Sequence, residues 1–89
     1  MIRKRLIFIG RVQRVGFRFT AIRYANGLGL TGWVKNQYDG TVLMEVQGHR
    51  ESINKLLQFL NSDLYIRIDS IEDMEIPLVE HDSGFGLRS

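Results

Sequence analysis

Apolar residues change their spacing from segment to segment along this chain, and the changes fall at glycines. Leu6-Ile7-Phe8-Ile9 is a β-prone run that stops at Gly10, which predicts a strand near residues 2–10. From Phe17 the spacing turns helical through Ala21, Tyr24 or Ala25, and Leu28, and Asn26-Gly27 with Gly29 ends it. Leu30 to Lys35 reads as a second strand. Tyr38-Asp39-Gly40 reads as a hairpin turn, because Asp-Gly tolerates the positive φ such turns need. Val42, Met44 and Val46 then alternate along a third strand over 41–47, which Gly48 closes. Ile53, Leu56, Leu57 and Leu60 fall at i, i+3, i+4 and i+7, the clearest amphipathic helix in the chain. A fourth strand follows near 65–76, where Ile66, Ile68, Ile71 and Met74 do not alternate cleanly, the pattern a β-bulge leaves. Pro77 ends it, and Phe85-Gly86-Leu87 is a candidate short last strand.

The order β-α-β-β-α-β predicts an α+β fold, the ferredoxin-like sandwich, with two helices packed on one face of a four- to five-stranded antiparallel sheet. Phe8, Trp33, Phe59 and Phe85 are assigned to its core, Phe19 and Tyr24 to helix packing, and His49 and His81 to the surface. The chain has 89 residues, read as one domain over 1–89 with one modest core. It has no cysteine, which excludes disulfides, thiolate metal sites and cysteine nucleophiles. The apolar run near the start is too short for a signal segment or a membrane span. These features predict a soluble, cytoplasmic protein without a membrane partner.

Charge is segregated. Residues 1–38 hold eight Lys or Arg and no acid, and residues 69–82 hold six acids and no Lys or Arg. Two readings compete: an end of the molecule that faces an anion, or neighbouring strands that pair opposite charges. The stretch GRVQRVGFRF, residues 10–19, bears on the choice. A loop between a strand and a helix aims backbone N–H groups at whatever lies above the helix N-terminus, where the helix dipole adds positive charge. Such a place suits phosphate, and Arg18 brings a planar fork of donors to it. The loop lacks both Gly-Lys-Ser/Thr and G-x-G-x-x-G. In GWVKNQYDG, residues 32–40, Asn36 ends a strand, and its amide can donate to and accept from a water. Its bland alternative is turn chemistry.

Taken together the two stretches resemble the acylphosphatase family. Gly10-x-Val12-Gln13-x-Val15-Gly16-Phe17-Arg18 is similar to its phosphate-cradle motif, and Gly32-Trp33-Val34-Lys35-Asn36-x-x-x-Gly40-x-Val42 to its second motif. The resemblance covers nearly the whole chain, through Ser83-Gly84-Phe85. It implies metal-free hydrolysis of a small-molecule acyl phosphate, with no cofactor, and with inorganic phosphate or sulfate as competing ligand. It makes Arg18 the phosphate-binding catalytic residue and Asn36 the water-orienting one. The N–H groups of Gln13, Arg14, Val15, Gly16 and Phe17 become the cradle. An acidic residue beside the dianion would repel it, and the first 38 residues contain none.

The family normally has glycine where this chain has Arg14. If that position needs positive φ, arginine there costs roughly 1–2 kcal/mol. Two other function classes follow from the same sequence. A non-catalytic phosphate-binding relative needs the same cradle. An RNA-binding module shares the element order, but its third strand carries aromatics, and TVLMEVQ has none. The reading adopted is a free-standing monomeric acylphosphatase with no nucleic-acid partner.

Overall fold

The computed structural model describes residues 1–89. Five strands and two helices follow in the order β1 (Ile2–Arg11), α1 (Phe17–Gly27), β2 (Thr31–Asn36), β3 (Val42–Gly48), α2 (Arg50–Asn61), β4 (Arg67–Ile76) and β5 (Phe85–Leu87). They form one sheet in the order β4-β1-β3-β2-β5. β1 pairs antiparallel with β3 and β4, and β2 antiparallel with β3. β5 pairs parallel to β2, so the sheet is mixed and not antiparallel throughout. The cause is the connection after Pro77. It carries the chain from β4 at one edge to the opposite edge, so β5 enters in the same direction as β2.

Alternation on the strands decides what is buried. Leu6 and Phe8 of β1, Val34 of β2, and Val42, Met44 and Val46 of β3 point to one face and are fully buried. Ile53, Leu56 and Leu60 of α2 cover them, with Phe17, Ala21 and Ala25 of α1. The two alanines let α1 approach the sheet closely. The Phe8 and Phe17 rings meet with centroids 4.9 Å apart, tilted by 57°. Burying a side chain such as Phe8 contributes about 1.5–3 kcal/mol.

Three aromatic assignments are corrected. Trp33 neighbours Val34, which takes the core-facing register, so the indole lies on the outer face under the Arg88 guanidinium at 4.5 Å. Phe59 falls outside the Ile53-Leu56-Leu60 stripe and is exposed, stacked on Tyr24 with centroids 4.5 Å apart. Phe19 sits two positions after buried Phe17, on the far side of α1, and is 85% exposed. Phe8 and Phe85 are buried, and both histidines are exposed.

The irregular fourth strand does contain a bulge. Ile9 pairs with Ser70 and Gly10 with Ile68, so Asp69 is skipped. Gly10 has φ +143°, and a Cβ there would lie 2.2 Å from the Arg67 carbonyl oxygen. Only glycine lets β1 run past the bulge to Arg11.

On the outer face, the 77–84 connection is held by a polar network. Arg3, 3% exposed, donates from Nη1 to Asp82 Oδ2 at 2.8 Å and from Nη2 to Glu45 Oε1 at 3.0 Å. Gln47 accepts from the Val79 N–H and donates to the Val79 carbonyl. Partial burial works to raise the Asp82 carboxyl, yet Arg3, Thr31 and the Ser83 backbone together outweigh it and hold the group below the ordinary carboxylate range. No helix is long and apolar enough to cross a membrane.

Candidate active site

β1 and β2 are each antiparallel to β3, so their C-terminal ends share one end of the sheet. The β1–α1 loop and Asn36 therefore meet there. Val12 and Phe17 are buried in the core and pin the loop at both ends. The backbone between them arches through two left-handed residues, Arg14 at φ +62° and Gly16 at φ +79°. Positive φ at intervals turns successive N–H groups inward, a nest that suits anions. From Gln13 to Phe19 no backbone N–H donates a hydrogen bond within the protein.

Helix α1 begins without the usual compensation. Gly16 at its N-cap provides no side-chain bond, and the first turn has no acid. Its partial positive charge and unpaired N–H groups are left for a ligand. Arg18, in that first turn, is half-buried and has no acidic partner. Asn36, on the core-facing register of β2 with Val34, has a buried Oδ1 that accepts from no protein donor. A cleft of about 220 Å³ joins Arg14, Gly16, Phe17, Arg18 and Asn36.

Gln13 and Val15 do not line this cleft with their side chains. Val15 packs against the core. Gln13 Nε2 donates to the carbonyls of Gln37 and Thr41, both at 2.8 Å, tying the loop to the β2–β3 hairpin. The hairpin is itself braced. Asp39 Oδ1 accepts from the Thr41 hydroxyl at 2.6 Å and from its N–H at 3.0 Å, and Gln37 Nε2 donates to the Thr41 hydroxyl at 3.0 Å. Those Thr41 bonds hold the Asp39 carboxyl below its ordinary range. Sequence reasoning gave Gln13 only a backbone role and Thr41 none. The available signal was an amide in the loop opposite a turn of polar residues.

The charge pattern divides between its two readings. Lys4 on β1 pairs with Asp73 on β4 at 2.9 Å, and Arg3 on β1 with Glu45 on β3 at 3.0 Å, as strand pairing predicts. Arg11, Arg14 and Arg18 around the loop have no acidic partner, as an anion-facing end predicts. No group of three or more His, Asp or Glu stands close enough together to hold a metal ion.

The fold and this end of it define an α+β sandwich whose β1–α1 loop presents unpaired N–H groups beside one arginine and one buried amide. The family is then specific: the acylphosphatase model matches residues 4–87, and the chain belongs to the acylphosphatase family. An acylphosphatase of Clostridium perfringens is 42% identical over 86 residues, 96% of this chain and 97% of that protein. The crystal structure of acylphosphatase from Bacillus subtilis superposes with a TM-score of 0.91 at 29% identity, covering 100% of both chains. An acylphosphatase structure from Coxiella burnetii gives 0.85 at 33% identity, covering 98% of this chain and 92% of that one.

Proposed function

We propose that this chain hydrolyses small-molecule acyl phosphates, R–CO–O–PO₃²⁻, to a carboxylate and inorganic phosphate, as a metal-independent cytoplasmic monomer. The observation that carries the reading is the run of unpartnered N–H groups from Gln13 to Phe19 beside the unpaired Arg18. Those groups, with the N–H groups of Gln13, Arg14, Val15, Gly16 and Phe17 as the cradle, hold the three non-bridging phosphoryl oxygens. Arg18 adds two parallel donors and offsets the charge that spreads over those oxygens in the transition state.

Asn36 Oδ1 accepts from a water and aims its lone pair at phosphorus. The water oxygen bonds to phosphorus and the P–O bond to the acyl group breaks. The carboxylate departs with that electron pair, and both water protons stay with the phosphate as H₂PO₄⁻. A carboxylate whose conjugate acid has a pKa of about 4 leaves without a general acid. The absence of an acid–base dyad beside the loop is therefore no obstacle. Inorganic phosphate and sulfate, which match the product, compete for the cradle.

The test is hydrolysis of benzoyl phosphate in EDTA, with inorganic phosphate as competitor, by the native protein and by Arg18→Ala. The native protein turns over and phosphate inhibits it. Arg18→Ala loses about 10²–10³ in kcat/KM, the scale of removing a preorganised charge-stabilising donor, and loses phosphate inhibition too. Phosphate binding without turnover in the native protein would instead make the chain a non-catalytic anion binder.

A further inference from the structure

A second cleft, about 400 Å³, opens beside the cradle and is lined by Arg11, Arg14, Val15, Leu64 and Tyr65. Arg14 lines both clefts. Arg11 ends β1 opposite Arg67 of β4, and Leu64 and Tyr65 lie in the α2–β4 connection. This cleft is therefore on the β4 side of the loop. Asn36 is on the β2 side, because the sheet runs β4-β1-β3-β2-β5. In phosphoryl transfer the attacking and leaving oxygens stand roughly in line. A water held at Asn36 sends the leaving acyl group away from β2, toward the second cleft.

Its lining sets the chemistry. Arg11 and Arg14 have no acidic partner. The acids nearby are engaged: Asp63 Oδ1 accepts from the N–H groups of Tyr65 and Ile66, and Asp69 pairs with Arg67 at 3.2 Å. Leu64 and Tyr65 are exposed and offer an apolar wall. Another cleft, about 250 Å³ and lined by Arg18, Phe19, Ile22 and Leu87, is nearly all apolar, but it lies on the β2–β5 side of the loop, the side of Asn36.

We propose that the acyl group of the substrate lies in the Arg11–Tyr65 cleft, and that Arg11 and Arg14 select acyl phosphates carrying a second anionic group, a carboxylate or a phosphate. This rests on the acyl-phosphate reading above. The hydrocarbon part of the acyl chain lies against Leu64 and Tyr65, and its distal anion meets the two guanidinium groups.

The experiment compares kcat/KM for benzoyl, 4-methylbenzoyl, 4-carboxybenzoyl and 4-phosphonobenzoyl phosphate, in the native protein and in Arg11→Gln. Arg11 is exposed and outside the cradle, so the variant folds; loss of its charge beside the cradle lowers turnover of all four substrates alike, and the ratio of anionic to 4-methyl substrate is the readout. The native protein prefers the two anionic substrates to the 4-methyl one by about tenfold, the effect of one charge-assisted contact. High salt weakens that preference, and Arg11→Gln removes most of it. The relative rates of the carboxylate and phosphonate arms tell which anion is favoured. Equal rates for charged and uncharged substrates, a preference for the 4-methyl compound, or a preference that survives Arg11→Gln overturns the inference while leaving the hydrolase intact. No turnover of any of the four overturns both.

Discussion

At the scale of single residues, the site turns on one arginine that has glycine's backbone geometry. Arg14 sits at φ +62°, so the cradle keeps its arch although the residue that favours it is missing. The left-handed conformation costs arginine roughly 1–2 kcal/mol, and glycine's extra freedom when unfolded takes back about 0.5–1 kcal/mol of the relief. Arg14→Gly should therefore raise stability by up to about 1 kcal/mol, a rise of several degrees in Tm for a chain of this size. Thermal melts check it, and a lower Tm would mean that the arginine side chain itself supports the loop. Arg18 and Asn36 were legible from sequence because their places are local: one follows the glycine loop, the other precedes a turn. What Asn36 faces was not legible, because that depends on the pairing of β2 with β3.

Among elements, the loop is held by neighbours that sequence spacing does not reveal. Gln13 reaches across to the Gln37 and Thr41 carbonyls, and the hairpin that receives it is locked by Asp39 and Thr41. The irregular spacing of Ile66, Ile68, Ile71 and Met74 did signal the bulge, but its place opposite Gly10 needed the β1–β4 register. Gly10→Ala drives a Cβ against the Arg67 carbonyl, backbone that cannot rotate away, and should cost about 1–3 kcal/mol. Urea unfolding measures it; a midpoint equal to the native one would show that the bulge opens freely. Trp33 was misread for a related reason. In a six-residue strand with Val34 beside it, one step of register decides which residue faces the core.

For the molecule as a whole, opposite charges do two jobs. Arg3 of β1 fastens the sheet's outer face, and the arginines around the loop have no acidic partner. The fastening joins residues far apart in the chain: Arg3 and Asp82 are 79 positions apart, which no local pattern could show. Because the folded Asp82 carboxyl titrates below its unfolded value, its contribution is present above pH about 4 and is lost as pH falls through the lowered value. Asp82→Asn leaves Arg3 with Glu45 as its remaining ion-pair partner and should cost about 1–3 kcal/mol at neutral pH. The same change should flatten the acid limb, so that native and variant midpoints in urea converge as pH falls below the ordinary carboxylate range. A gap that persists there would remove the titration argument. The central claim is that a bound phosphoryl group is attacked by a water held at Asn36. The most direct measurement compares native protein with Asn36→Ala for benzoyl phosphate turnover and for inhibition by inorganic phosphate. The account predicts a loss of kcat of about 10²-fold or more with phosphate inhibition nearly unchanged. Near-native kcat in Asn36→Ala would contradict it.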